Sequence, residues 1–250
     1  MMAGPVKSIL FDLDDTLFDH RGSSLEALEV VRQEHPSLRE RPLEEVARHF
    51  FRLIDEGHLQ VLMGRLTLEE ARTQRFRQLF QLYGEALTQE QAARLAQRYR
   101  TVYQQVRRPV AGAAALLKQL KGRVKIGVVT NNLYEEQRDK LRHCKLDLLI
   151  DFLVTSERAG AMKPSAAIFR LALERSGCQA QEAVMVGDSW EADVLGAHGA
   201  GIRPVWFNRW RLPCPDPTIA RELCSFSPLE EAHSLLLGEG DERGVTTRRD

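Results

Sequence analysis

Apolar residues fall along this chain in two rhythms. From Val6 to Leu13, VKSILFDL is a short run of β-branched and bulky apolar side chains ending in acids, which predicts a buried strand. From about Arg21 to Arg108 no strand-like run occurs, and the apolar positions recur at helical spacing. Within that stretch Thr67 with Glu70 and Thr88 with Gln91 have the form of capping boxes, each placed just before an apolar helical pattern. Beyond Pro109 the chain alternates. The pattern predicts a helix over about 112–121 stopped by Gly122, a strand over 124–130, a helix to about Cys144 and a strand over 149–155. A helix over 165–176 closed by Gly177, a strand over 183–186, a helix over 190–198 and a strand over 203–207 follow.

Buried strands separated by helices are the mark of βαβ units on a parallel sheet. The expected fold class is therefore α/β: a doubly wound, Rossmann-like parallel sheet built from residues 1–20 and 109–238, with a helical cap domain, residues 21–108, inserted after strand one. Residues 239–250 have no apolar periodicity and are expected to form a flexible tail. Phe50, Phe51, Phe76, Phe80 and Tyr99 are expected to pack helices together rather than to line a substrate site.

Composition narrows the function classes. Thirty-five basic residues balance thirty-five acidic ones, so no global field exists to gather nucleic acid or an anionic membrane surface. No apolar run approaches the roughly 18 residues of a membrane span, and acids interrupt the apolar stretch near the start, unlike a signal peptide. The four cysteines are scattered, without zinc-ligand spacing, and read as reduced thiols. A cytoplasmic protein, monomeric or homodimeric, is the expectation.

In open parallel sheets ligands lie beyond the carboxyl ends of the strands. The polar residues at those ends are Asp12, Asp14, Asp15 and Thr16 after strand one, Thr130 and Asn131 after strand two, Lys163 after strand three, and Gly187, Asp188 and Asp193 after strand four. Carboxylates converging to about 4 Å repel by about 4 kcal/mol per pair at an effective dielectric of 20, which a divalent cation removes. An all-oxygen donor set suits magnesium better than zinc or copper. Lys163 and the Thr130 hydroxyl then offer a charge and a hydrogen bond to a second anion such as a phosphate. Gly187 is expected to permit a backbone turn beside the ion.

DLDDTLFD at 12–19, VVTNN at 128–132, KPSAAIF at 163–169 and VGDSWEADVLGAHGAGI at 186–202 resemble, in order, the four signature blocks of the haloacid dehalogenase-like (HAD) hydrolase superfamily. The helical insert resembles its C1 cap. The resemblance implies a hydrolase of phosphoric monoesters that needs Mg2+. Asp12 would be the nucleophile that becomes an aspartyl phosphate, and Asp14 the general acid, then base, protonated while Asp12 is ionised. Thr130, Asn131 and Lys163 would hold the phosphoryl group. Asp12, the Asp14 backbone carbonyl and Asp188 would bind the metal, with Asp193 supporting it from behind or through water. The cap would close over substrate and select the leaving group.

Two positions depart from the family pattern: Asn132 stands where glycine is common, and Ala166 where a second proline is usual. Neither carries a transferred role, although Asn132 bears on loop geometry. The overall pattern is most similar to N-acylneuraminate-9-phosphatases and 5′-nucleotidases, with phosphoglycolate phosphatases close by, which points to a sugar phosphate or a nucleoside monophosphate as substrate. A phosphosugar mutase, a haloacid dehalogenase on the same fold, and a binding or regulatory protein without turnover remain as alternatives.

Overall fold

The computed structural model describes residues 5–238. The chain divides into two compact units, Met1–Asp19 with Arg108–Asp250, and His20–Arg107. The tail expected at 239–250 lies outside the described residues.

The second unit is helical throughout: α1 (His20–Glu34), α2 (Pro36–Arg39), α3 (Leu43–Leu62), α4 (Leu68–Leu82) and α5 (Gln89–Val106). Both capping boxes form. The Thr67 and Thr88 hydroxyls each accept from the backbone N–H three residues on at 3.2 Å, and the Glu70 and Gln91 side chains each accept from the threonine N–H at 2.8 Å. Two donors that a helix start leaves orphaned are thereby satisfied at each end. Phe50, Phe76 and Phe80 are fully buried among Leu28, Val31 and Leu79, and the Phe50 ring lies 5.0 Å from that of Tyr99. These aromatics pack helices, as their spacing predicts.

The first unit is a six-stranded, all-parallel sheet of order β3-β2-β1-β4-β5-β6. Its strands are β1 (Ser8–Phe11), β2 (Lys125–Thr130), β3 (Phe152–Thr155), β4 (Ala183–Gly187), β5 (Arg203–Phe207) and β6 (Arg221–Leu223). Helices α6 (Ala113–Leu120), α7 (Tyr134–His143), α8 (Ser156–Ala159), α9 (Ala166–Ser176), α10 (Gly196–Gly199) and α11 (Leu229–Leu237) complete the unit. Successive strand residues face opposite ways. Leu10, Val129, Val154 and Met185 share one core cluster with Ile168 and Phe169 of α9, whereas Phe11 meets Phe226, which stacks on Phe207 at 4.2 Å. The order runs outward in both directions from β1, so β1 and β4 flank the point where the winding reverses, and acids follow both.

Several details differ from the sequence reading, including the helices α8 and α11, which it did not contain. Strand β3 begins at Phe152, not near 149, because the Asp151 carboxylate takes the Ile126 N–H at 2.7 Å in place of a ladder carbonyl. Strand β6 was not foreseen: it is three residues long with only Leu223 buried, too short to show a period. The stretch read as one helix over 190–198 opens as a π-helix, Trp190–Leu195, before α10. The Ser189 carbonyl there accepts from both Asp193 N at 2.9 Å and Val194 N at 3.3 Å, which widens the turn. Among the described residues no helix is long and apolar enough to cross a membrane, and all four cysteines are free.

Candidate active site

Strand pairing in register aligns the ends of β1, β2 and β4. Phe11 pairs with Val128 on one side and Val186 on the other, and the Asp12 N–H donates to the Val186 carbonyl at 2.8 Å. Asp12 therefore leaves the sheet level with Val129, one residue before the end of β2 at Thr130, and with Gly187, the last of β4. It is buried, as are Thr130, Lys163 and Asp193.

Lys163 is the hub. Its ammonium donates to Asp12 Oδ1 at 2.5 Å, Asp193 Oδ1 at 2.6 Å and the Val129 carbonyl at 2.8 Å, so each of its three hydrogens has an acceptor. The Lys163–Pro164 peptide is cis. Asn131 fixes the lysine backbone reciprocally: Asn131 Nδ2 donates to the Lys163 carbonyl at 3.0 Å and Asn131 Oδ1 accepts from the Lys163 N–H at 2.7 Å. The Asn131 side chain thus clamps two loops.

Asp12, Asp188 and Asp193 each offer a carboxylate oxygen within 4.8 Å of the others. One ammonium faces three carboxylates. Burial, joined by Asp193 and Asp14 and opposed by Lys163, pushes Asp12 up to about 7, and burial with Asp12 and Asp193 holds Asp188 well above the usual carboxylate range. Burial alone would lower Lys163, but Asp12 and Asp193 hold it above its ordinary value. A compact all-oxygen set with surplus negative charge fits a hard divalent cation.

Asp193, expected to support the site from behind or through water, brings its carboxylate within 4.8 Å of those of Asp12 and Asp188. The π-turn brings it back over β4, where Asp193 Oδ2 accepts from the Ser189 N–H at 3.0 Å. A Cβ on Gly187 would stand 2.2 Å from the Asp193 carboxyl carbon. Glycine is required there for close approach, not for the turn expected from the sequence. The Asp188 backbone is held by the Trp206 indole N–H, which donates to its carbonyl at 2.9 Å.

The Asp14 side chain stands apart from the acidic cluster. Both its oxygens accept from Lys140 Nζ, at 2.6 and 2.8 Å, and Oδ2 also accepts from Gln137 Nε2 at 3.0 Å. Gln137 also donates to Thr130 Oγ1 at 2.7 Å. Asp12 is thus the carboxyl pushed upward by burial, while the Asp14 carboxylate is paired with an ammonium. Lys140, Gln137 and Trp206 were missed. A signal for the first two existed: the buried stripe of α7, Gln137, Lys140 and Leu141, is polar at two of three places.

The family profile described as haloacid dehalogenase-like hydrolase matches residues 6–201. Pyrimidine 5′-nucleotidase YjjG of Escherichia coli (strain K12) is 41% identical over 101 residues, 40% of this chain and 45% of that protein, so this alignment spans less than half of the relative. Glyceraldehyde 3-phosphate phosphatase of Methanothermobacter thermautotrophicus is 28% identical over 221 residues, 81% of this chain and 86% of that one. The crystal structure of HAD-hydrolase YfnB from Bacillus subtilis, bound to magnesium, superposes with a TM-score of 0.71 at 25% identity, covering 92% of this chain and 99% of that one. A 2-haloacid dehalogenase from Pseudomonas syringae pv. Tomato DC3000 is also similar, with a TM-score of 0.59 and 26% identity over 90% of this chain and 97% of that one.

Proposed function

The chain belongs to the haloacid dehalogenase-like hydrolases, and from that membership we propose that it is a magnesium-dependent phosphomonoesterase working through an aspartyl phosphate. The observation that carries the reading is a buried Asp12 carboxylate held by Lys163 within an acidic cluster, with a second, partly exposed carboxylate, Asp14, two residues on and paired with Lys140.

Asp12 attacks phosphorus while the bond from phosphorus to the leaving oxygen breaks, and Asp14 gives that oxygen a proton. Water then attacks the acyl phosphate, returns a proton to Asp14, and frees phosphate and the Asp12 carboxylate. Lys163 keeps Asp12 aimed and offsets charge beside the phosphoryl oxygens. Thr130 accepts from Gln137, and its own hydroxyl hydrogen serves a phosphoryl oxygen. Asn131 acts by clamping the Lys163 loop. Asp12, Asp188 and the Asp14 carbonyl, with Asp193 alongside, would hold magnesium, which would supply positive charge favouring the ionised carboxylates and the transferring oxygens.

Dehalogenation is the poorer reading, because it requires neither a second aspartate as acid and base nor an acid at Asp188. The substrate is assigned to small phosphate monoesters: sugar phosphates of the N-acylneuraminate 9-phosphate kind, or nucleoside monophosphates, the chemistry named for the nucleotidase relative. Choice among them is assigned to the helical unit. Phosphate release is measured over sugar phosphates, nucleoside monophosphates, triose phosphates and phosphoglycolate, with magnesium and with chelator. One ester turned over well above the rest, and lost with chelator or Asp12→Asn, is the expected result. Full activity in Asp12→Asn, or halide release from a haloacid without phosphatase activity, overturns it.

A further inference from the structure

Helix α7 spends its inward face on polar groups. Gln137 is completely buried and Lys140 is 6% exposed. Packing does not call for either, since an aliphatic side chain would cover the sheet without desolvating an amide and an ammonium. Lys140 Nζ lies 5.2 Å from the centre of the Phe18 ring and grips both oxygens of Asp14. Gln137 uses its amide nitrogen on Asp14 and on Thr130 together, while its buried carbonyl oxygen finds no donor among the described residues. A buried acceptor left unpaired marks a side chain kept for what its other end does.

We propose that Lys140 and Gln137 are positioning residues that seat the acid/base carboxylate of Asp14 and couple its placement to Thr130. The inference rests on the phosphatase reading above and adds residues to it. The geometry has two sides. Toward α7 the carboxylate is anchored by three hydrogen bonds, and a quarter of the side chain is exposed. A group that must give a proton to a leaving oxygen and take one from water needs a fixed position together with some exposure. Because Gln137 joins Asp14 to Thr130, the proton donor and the hydroxyl that holds the phosphoryl group share one support.

The consequence differs with the leaving group. An alkyl phosphate needs its departing oxygen protonated, whereas p-nitrophenolate leaves without that help, and kcat/KM reports only steps up to that departure. In the magnesium-loaded full chain, Lys140→Met should lower kcat/KM on glycerol 2-phosphate about 10- to 100-fold further than on p-nitrophenyl phosphate, a part of the roughly 10²–10⁴-fold that a general acid contributes. Lys140→Arg should restore part of the difference. Gln137→Met should show the same bias more weakly, and it carries the comparison if Lys140→Met does not fold. Equal losses on both esters, with no recovery in Lys140→Arg, would mean a merely structural ion pair and overturn the proposal. Failure of the premise looks different: the unmutated protein frees phosphate from neither ester, or Asp12→Asn stays active, and the proposal falls with it.

Discussion

Asp12→Asn should make this protein more stable and inactive at once, and the gain should depend on pH. The carboxyl stands at about 7 in the fold against an ordinary 3.8, chiefly because it is buried. That difference corresponds to about 4 kcal/mol. The sign follows from the raised value: the folded state binds the proton more tightly than the unfolded chain. Stability is therefore fully present below 3.8 and is lost as pH climbs through about 7. An asparagine has the same shape, and its Oδ1 can accept from Lys163 as Asp12 Oδ1 does at 2.5 Å, yet it carries no charge. Above pH 7.5, in chelator, the variant should gain about 1–4 kcal/mol, the lower end allowing for the weaker pairing left to Lys163. Near pH 4 the gain should vanish. Urea unfolding of both proteins at several pH values reads the difference as a shift in midpoint at constant slope. Saturating magnesium should narrow it, since the cation offsets the same repulsion. A gain equal at both pH values, or a loss at alkaline pH, would refute the claim that burial and crowded charge govern Asp12.

Lys163→Met strands Asp12 and Asp193 without their ammonium; unfolding stability at pH 8 in chelator should fall by about 3–5 kcal/mol, and phosphate release should be lost. Gly187→Ala puts a methyl group where the Asp193 carboxyl lies 2.2 Å away. It should destabilise by about 1–3 kcal/mol and weaken magnesium binding in titration calorimetry, whereas Gly122→Ala, with open space around it, should leave magnesium binding alone. Because Asp12 and Asp188 are both raised, ion binding must expel protons. Apparent magnesium affinity should therefore climb from pH 5 to pH 8, and calorimetry in buffers of different ionisation heat should detect the released protons.

Much of the fold can be read from local pattern because local pattern is what builds it. The runs SILF, IGVVT and AVMVG are buried on both faces of a parallel sheet and so need no partner to be recognised. Thr67 with Glu70 and Thr88 with Gln91 satisfy helix ends within four residues, so their role is complete in the sequence. Strand ends in such sheets carry the chemistry, which is why Asp12, Thr130, Lys163 and Asp188 could be named as candidates before any coordinate.

What only the tertiary structure decided concerns partners distant along the chain. Lys140 meets Asp14 across 126 positions, and nothing in YEEQRDKLRH distinguishes it from the solvated charges around it except a polar residue on an inward stripe. Asp193 enters the acidic cluster because a π-turn and a side-chain-free Gly187 let it fold back over β4, a matter of a few ångströms that residue spacing does not encode. The same holds for β6, whose three residues become a strand only because β5 presents an edge to pair with. Periodicity reports which residues leave water; it does not report which of them touch, since that depends on how sheet register and helix placement bring remote segments together.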